Sequence, residues 1–171
     1  MTTVKRPFPP AWLEVLSSAR LSYLATASLQ GVVAVPHLSL MAMSFLNDDV
    51  LGAVFVFSTR RDTQKFSNLL ANPCVSILSH DFAPRADTAG GGVSPGLAAR
   101  LHGSLSITCQ GRVRVLSGEE EARLRAEHLR RQPAYKQFID GEHIAVCVVE
   151  PEMAQAVGES DRVERLPPLA L

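Results

Sequence analysis

Apolar residues recur at alternate positions in several short runs of this 171-residue chain, and this pattern limits the possible folds more than any other feature. Alternation with a period of two is typical of β-strands that bury one face. Short turns, such as Ser28–Gly31, separate most of the runs, so consecutive strands are expected to pair in antiparallel fashion. The predicted strands lie at 21–27, 32–43, 55–59, 74–80, 105–115 and 143–150, followed by a weaker closing hairpin between 157 and 166.

A short helix is predicted directly after the third strand. Asp62 or Thr63 can cap its first turn, because either side chain can accept a hydrogen bond from a free backbone N–H group. Phe66, Leu69 and Leu70 are predicted to face inward. The Asn-Pro pair that follows ends the helix, since a residue before proline is pushed out of helical conformation.

A longer helix is predicted after the strand at 105–115. Ser117 and Glu120 form the pattern of a capping box, in which the two side chains bond backbone N–H groups reciprocally. Glutamates in the first turn and Arg130-Arg131 in the last turn match the helix dipole. His128 is expected on the solvated, ion-paired face of this helix, with a structural role.

These elements, with a first short helix after the proline pair at 9–10, predict a mainly β fold: a six-stranded antiparallel split β-barrel with peripheral helices. Gly111 suits the bend that a barrel corner requires in one long strand. Pro36 cannot donate to a β-ladder, so the second strand is expected to be an edge or to bulge there. We predict a single domain over residues 1–171. Its Gly-, Ala- and Pro-rich insert at 81–100 is a mobile lid, a partner-contacting arm or a disordered loop.

The balance of charges argues against a nucleic-acid partner. Lysine plus arginine equals aspartate plus glutamate at 17 each, so the chain lacks the broad positive charge that binds phosphate backbones. No apolar run approaches the ~20 residues that span a bilayer. The three cysteines lie far apart in apolar runs, which is typical of buried, reduced thiols. We therefore expect a cytoplasmic protein with neither a nucleic-acid nor a membrane partner.

Several motifs of known chemistry are missing from the sequence. Gly-rich nucleotide-binding patterns and the G-x-S-x-G pattern of hydrolases are absent. His37, His80 and His102 lie on or near predicted strands, but their spacing is not that of a zinc site. We expect no bound metal, and no catalytic residue is assigned.

The most informative segment is F-V-F-S-T-R-R-D-T-Q-K-F-S-N-L-L-A-N-P, which begins at position 55. Its hydroxyl groups, on Ser58, Thr59 and Thr63, lie where a buried strand meets the first turn of a helix. Lys65 adds a cation to that turn, whose free N–H groups and positive dipole end attract anions. We interpret the cluster as a site for a dianionic phosphate group. The alternative is a solvated surface loop, in which arginine and lysine are common.

The same segment resembles the FMN-binding split-barrel superfamily typified by pyridoxamine 5′-phosphate oxidase. The resembling pattern is S-T-x-x-x-T-x-K-x-x-N-L-x-x-N-P, which begins at Ser58 and is preceded by P-H-L-S-L, and the resemblance covers about Trp12 to about Val157. The segments L-S-H-D-F and Q-F-I-D-G-E-H-I-A-V-C-V-V-E are also similar to small pyridoxamine-oxidase-like proteins of fungi and protozoa. The resemblance implies FMN as the cofactor and a homodimer with the flavin at the subunit interface.

The resemblance also implies roles for residues of the motif. Thr59, Thr63 and Lys65 correspond to positions that bind the FMN phosphate and ribityl chain, and Ser58 and Gln64 accompany them.

Two further pairs of residues are assigned by the same resemblance. The backbone near Leu38 and Ser39 is expected to lie along the isoalloxazine ring. Ser104 and Ser106, on the central strand, are expected to contact the flavin bound by the partner subunit.

The chain departs from the oxidase itself at the substrate site. Pro36 and Met41 align with an arginine and a lysine of the oxidase, and Ser106 aligns with its flavin-contacting glutamine. A substrate phosphate would therefore lack its cationic clamp. The leading interpretation is an FMN-dependent oxidoreductase that acts on an unknown small molecule. The alternatives are a non-catalytic protein that binds or carries flavin or haem and, less favoured, pyridoxamine 5′-phosphate oxidase itself.

Overall fold

The computed structural model describes residues 8–30, 32–81, 105–158 and 162–166. Most of the predicted insert at 81–100, together with His102 and Ser104, lies outside these residues. The strands are β1 (Leu21–Gln30), β2 (Val33–Asp48), β3 (Gly52–Arg60), β4 (Cys74–His80), β5 (Leu105–Val115), β6 (Ile144–Gly158) and β7 (Val163–Leu166). The helices are α1 (Pro10–Ser18), α2 (Gln64–Ala71), α3 (Gly118–Arg131) and α4 (Lys136–Ile139), with a 3₁₀ turn at Pro133–Tyr135 before α4.

The strands form one antiparallel sheet that closes on itself. Their order is β3-β2-β1-β4-β5-β6-β7, and an additional pairing of β3 with β6 closes the first six strands into a barrel. The first half of β6 pairs with β3, and its second half pairs with β7. The predicted mainly β, six-stranded antiparallel barrel with peripheral helices is confirmed, with β7 as a short additional strand beside the closed ring.

Buried apolar side chains lie on both sides of the barrel wall. Leu24, Phe57 and Ile107 belong to one large cluster, which fills the barrel and also includes Trp12 of α1. On the outside, Leu124 of α3 belongs to a second cluster formed with alternate residues of β3 and β6. Residues 53–57 of β3 are apolar on both faces of the strand, because the barrel interior covers one face and α3 covers the other.

The bend predicted in β5 is a β-bulge against β6. The register shifts between Gln110, which pairs with Met153, and Gly111, which pairs with Pro151. A Cβ atom added to Gly111 would lie 2.2 Å from the Glu150 carbonyl oxygen. Glycine is required here because the two backbones approach each other too closely for any side chain, and the prediction is confirmed.

The position predicted for Pro36 is also confirmed. Pro36 pairs with Ala27 of β1, whereas β3 pairs with β2 only from Met43 onward. The other side of β2 is therefore not paired with β3 at Pro36, where the missing N–H group costs no ladder bond.

The first hairpin is longer than predicted. β1 continues through Gln30, which pairs with Val33, so the turn predicted at Ser28–Gly31 is wrong for its first three residues. Pairing with β2 continues to Gln30 and overrides the turn preference of the segment.

Helix α2 has the predicted position, but its inward face is narrower than expected. Phe66 and Leu69 are buried, whereas Leu70 is 64% exposed, so its predicted inward orientation is wrong. Successive helical residues are rotated by about 100°, and a short helix on a curved wall buries only one stripe of side chains.

Two expectations for α3 are also wrong. Ser117 precedes the helix but makes no side-chain cap bond. Glu120 instead accepts two hydrogen bonds from Arg114, at 2.6 and 3.0 Å, because a bidentate ion pair is stronger than a capping bond. His128 is fully buried rather than solvated, and its Nδ1 lies 2.8 Å from Ser44 Oγ on β2. Its predicted structural role agrees with this position.

The cysteines follow the prediction in part. Cys109 and Cys147 are buried, whereas Cys74, at the start of β4, is exposed. In the described part of the chain, no helix is long and apolar enough to cross a bilayer. The same residues contain no group of three or more His, Cys, Asp or Glu side chains that could hold a metal ion.

Candidate functional site

Thr63 organises the turn between β3 and α2. Its hydroxyl accepts a hydrogen bond from the Phe66 N–H at 3.2 Å and donates one to the Arg60 carbonyl at 2.8 Å. Thr59 Oγ1 lies 3.4 Å from Thr63 Oγ1, and Thr59 is the donor because the proton of Thr63 is already used. Of the two predicted caps, Thr63 caps the helix, and Asp62 pairs with Arg60.

A cleft of about 430 Å³ opens beside this turn. Four of the predicted cofactor-binding residues line it: Ser58, Thr59, Thr63 and Lys65. The first two end a buried strand and the last two begin a helix, so the local connection alone brings the four together. The volume is within the range of about 300–1,000 Å³ that is typical of small-molecule sites.

Lys65 gives the cleft its positive charge. The side chain is half-buried, and burial lowers the pKa of its ammonium group. Nζ donates a hydrogen bond to Met41 Sδ at 2.8 Å, but a thioether is a weak acceptor without charge. None of the described carboxylates forms an ion pair with Lys65. Desolvation of a cation without a counterion is unfavourable, so the site favours an anion.

The two arginines of the motif already have partners. Arg60 forms an ion pair with Asp62 at 2.5 Å, and both side chains are more than half exposed. The hydrogen bond from Arg60 lowers the pKa of Asp62. The Arg61 guanidinium lies 5.7 Å from the centroid of the Phe66 ring, in a cation–π arrangement. Among the described cleft residues, Lys65 is therefore the cation without an ionic partner.

Of the remaining predicted residues, those that the structure describes do not line the cleft with these four. Leu38 is 65% exposed on β2. Ser39 Oγ lies 3.4 Å from Nδ1 of His37 on the same strand. Gln64 donates to an asparagine of its own helix. Ser106 is on β5, which β1 and β4 separate from β2, and Ser104 lies outside the described residues. On the other side of the closed barrel, Ser106 pairs with Val157 of β6, outside the part of β6 that pairs with β3.

Two aromatic residues that the sequence did not indicate also line the cleft. Tyr135 ends the 3₁₀ turn, and Phe138 lies on α4. Ser58 Oγ donates to the Phe138 carbonyl at 2.8 Å, so this hydroxyl holds α4 against the end of β3. Leu21 and Leu40 complete the apolar part of the wall. The only signal in the sequence was an aromatic pair within the polar segment A-Y-K-Q-F, and nothing local relates it to the motif.

The fold and the cleft together define an antiparallel β-barrel with a cationic cleft at a strand-to-helix turn. Residues 8–158 match the family model described as pyridoxamine 5′-phosphate oxidase. The chain belongs to this family, and the resemblance seen in the sequence is confirmed.

Comparison with single proteins agrees with this assignment. A protein of Schizosaccharomyces pombe, named as a pyridoxamine 5′-phosphate oxidase homolog, is 27% identical over 164 residues, which cover 86% of this chain and 84% of that protein. A heme binding protein from Mycobacterium smegmatis has a similar fold, with a TM-score of 0.69 and 23% identity over 94% of this chain. This chain spans 59% of that protein's length.

A FAD-binding protein from Mesorhizobium loti is also similar. The TM-score is 0.57 at 16% identity, over 84% of this chain and 88% of that protein. At such identities the two structural matches establish the fold and leave the ligand of this chain open.

Proposed function

We propose that this protein binds FMN and that the cleft at the β3–α2 turn holds the phosphate group of the cofactor. The observation that carries the proposal is Lys65, a half-buried ammonium group whose only hydrogen-bond partner among the described residues is the Met41 thioether. A phosphate at this position would supply the missing counterion.

The donors around Lys65 fit a phosphate group. Thr59 and Thr63 place hydroxyl groups at the same wall of the cleft, where a phosphate would compete with Thr63 and with the Arg60 carbonyl for their protons. The first-turn N–H groups of α2 and the positive end of its dipole add uncharged donors. Charge-assisted hydrogen bonds from an ammonium group to phosphate are among the stronger hydrogen bonds in proteins.

The ring system of the cofactor requires a second surface, and we assign it to β2. The backbone near Leu38 and Ser39 continues from the part of β2 that lines the cleft at Leu40 and Met41. In the proposed homodimer, Ser106 and Ser104 of the second copy complete the site, which agrees with the finding that Ser106 does not line the cleft of its own chain.

The family to which the chain belongs supports an oxidoreductase acting on an unknown small molecule. Bound FMN supplies the redox chemistry, and the protein binds, orients and shields it. Oxidation of pyridoxamine 5′-phosphate itself is less favoured, because no further unpaired cation of the described residues faces the cleft to hold a second phosphate. A cytoplasmic location remains a prediction.

A second candidate function is binding without turnover, with flavin or haem as the ligand. The heme binding protein from Mycobacterium smegmatis and the FAD-binding protein from Mesorhizobium loti favour it, because their folds are similar to this one. The absorption spectrum of the purified protein distinguishes the ligands, since flavin and haem absorb at different wavelengths. Reduction of bound flavin by NAD(P)H, followed by reoxidation in air, distinguishes an oxidoreductase from a carrier.

The phosphate assignment is tested by FMN titration of Lys65→Met and Thr59→Val, two substitutions that keep side-chain size and remove donors. We expect Lys65→Met to weaken FMN binding at least tenfold, which corresponds to about 1.4 kcal/mol. Thr59→Val should have a smaller effect in the same direction. Quenching of FMN fluorescence provides the dissociation constants.

Lys136→Met is the matched control, because Lys136 is exposed and already paired with Asp140 at 2.6 Å. This variant should bind FMN like the wild type. Riboflavin, which lacks the phosphate, should bind wild type and Lys65→Met equally. Equal FMN affinity of wild type and Lys65→Met would show that the phosphate lies elsewhere.

A further inference from the structure

The cleft has two chemically different halves. The half at the β3–α2 turn carries Thr59, Thr63 and Lys65, whereas the other half is formed mainly by apolar and aromatic side chains. Among the latter, Leu21, Leu40 and Phe138 are 40%, 55% and 56% exposed, although large apolar side chains are normally buried. Exposed apolar residues gathered around one cavity are typical of a ligand site.

The polar groups at the border between the halves are already engaged. Ser58 Oγ donates to the Phe138 carbonyl, and Arg60 is paired with Asp62. Lys65 is assigned to the cofactor phosphate by the proposed function, on which this inference rests. A second molecule in the cleft would therefore find no free charged group among the described lining residues.

Tyr135 provides the one uncommitted neutral polar group that we find on this side. Its hydroxyl has no hydrogen-bond partner among the described residues, and it belongs to the same cavity wall as Phe138. A tyrosine hydroxyl can donate to an acceptor such as a carbonyl oxygen. The backbone bond from Ser58 fixes α4 on β3, so the two aromatic side chains are carried by a positioned element.

We propose that the apolar half of the cleft selects an uncharged ring compound with a single hydrogen-bond acceptor as the second ligand. Phe138 contacts the ring, and Tyr135 donates to its acceptor. An anionic compound of the same shape is disfavoured, because its charge would be desolvated against Leu21, Leu40 and Phe138 without a partner.

The test compares three probes with the full chain, with and without saturating FMN. Acetophenone has the ring and one acceptor, 4-acetylbenzoate adds a carboxylate, and ethylbenzene lacks the acceptor. Ligand-observed NMR measures each dissociation constant. With saturating FMN, which occupies Lys65, we expect acetophenone to bind at least tenfold more tightly than 4-acetylbenzoate and several-fold more tightly than ethylbenzene.

Variants then assign the two aromatic side chains. Phe138→Ala should weaken acetophenone binding at least fivefold and change FMN affinity by less than twofold. Tyr135→Phe should weaken acetophenone binding several-fold without affecting ethylbenzene. Leu70→Ala is the matched control, since Leu70 is 64% exposed, against 56% for Phe138, but does not line the cleft. This variant should change neither affinity.

The outcomes separate this inference from the proposed function. Equal or tighter binding of 4-acetylbenzoate overturns the inference, as does a loss of FMN affinity in Phe138→Ala that equals its loss of acetophenone affinity. Dissociation of an oligomer by Phe138→Ala with unchanged acetophenone binding also overturns it, because Phe138 would then be an interface residue. If FMN fails to bind while the probe pattern persists, the proposed function fails and the ligand selectivity stands.

Discussion

At the residue scale, the proposed binding of FMN depends on whether Lys65 is protonated. Burial lowers the pKa of the free ammonium group, and a phosphate beside it would raise that pKa again. FMN binding should therefore be at full strength below the pKa of free Lys65 and should weaken as the pH rises through that pKa. Titrations of FMN between pH 7 and pH 10 are expected to show this loss on the alkaline side, because an ordinary lysine has a pKa of about 10.4 and burial lowers that of Lys65.

Two comparisons show whether Lys65 is the titrating group. Riboflavin contains the same ring without the phosphate, so its affinity should lack the alkaline loss. In Lys65→Met the affinity for FMN should be lower and should not fall further over this range. An alkaline loss that persists in Lys65→Met would assign the titration to another group.

At the same scale, we expect a substitution of Gly111 to destabilise the protein. Gly111→Ala places a methyl group 2.2 Å from the Glu150 carbonyl oxygen, and a backbone atom cannot move aside as a side chain can. We expect a loss of about 1–3 kcal/mol in the free energy of unfolding, measured by urea denaturation. Gly158→Ala is the control, because its new Cβ would approach only Leu105 Cδ1, at 4.0 Å.

At the element scale, the contact between α3 and β2 depends on a neutral histidine. His128 is fully buried against Ser44, and burial together with the nearby Arg125 charge lowers its pKa to about 4. In the unfolded chain the pKa is about 6.5, so the unfolded state binds more protons between these two values. The stability that neutral His128 provides is therefore complete above about pH 6.5 and decreases as the pH falls to about 4.

The difference between wild type and His128→Gln isolates this effect. Glutamine cannot titrate but can still bond Ser44, so the variant should lose less stability on acidification. The wild type should lose about 3 kcal/mol more than His128→Gln between pH 7 and pH 4, measured by urea denaturation. Carboxylates titrate in both proteins, and their contribution cancels in the difference. Parallel pH profiles would show that His128 does not limit acid stability.

The elements that the sequence predicted best are those with a local cause. The bend at Gly111, the edge position of Pro36 and the start of α2 follow from backbone properties that can be recognised in a few residues. The burial of His128 against Ser44 and the ion pair of Glu120 with Arg114 depend on partners from other elements. Propensity patterns contain no information about such partners. The solvated position expected for His128 and the capping role expected for Glu120 were therefore wrong.

The candidate site also has one part that could be predicted from local sequence and one part that could not. Ser58, Thr59, Thr63 and Lys65 come together because one strand-to-helix turn contains them all. The aromatic half of the cleft, by contrast, is created when the chain returns after α3 and places α4 against β3. No spacing rule within the motif could indicate that contact.

At the scale of the whole molecule, the outer surface of the barrel, as far as the described residues show it, is covered in one region and open in another. Helix α3 covers the outside of β3 and the first half of β6. Two apolar residues of β2 before the closure point are open and do not line the cleft: Val33 is 59% exposed and Leu38 is 65% exposed. An exposed apolar strand next to a cleft is typical of an interaction surface, and the proposed homodimer would bury it.

The substitution Leu38→Glu tests the proposed homodimer. In a two-fold symmetric interface each residue is contributed by both subunits, so one substitution places two carboxylates in the buried region. We expect the wild type to have twice the mass of one chain in sedimentation equilibrium and Leu38→Glu to have the mass of a single chain. FMN affinity should fall at least tenfold in this variant, because the residues contributed by the second copy are lost. Leu70→Glu places the same charge on an equally exposed leucine of α2, and it should remain dimeric with wild-type affinity. A monomeric wild type that binds one FMN per chain would show that a single barrel forms the complete site, and the role assigned to Ser106 would then be wrong.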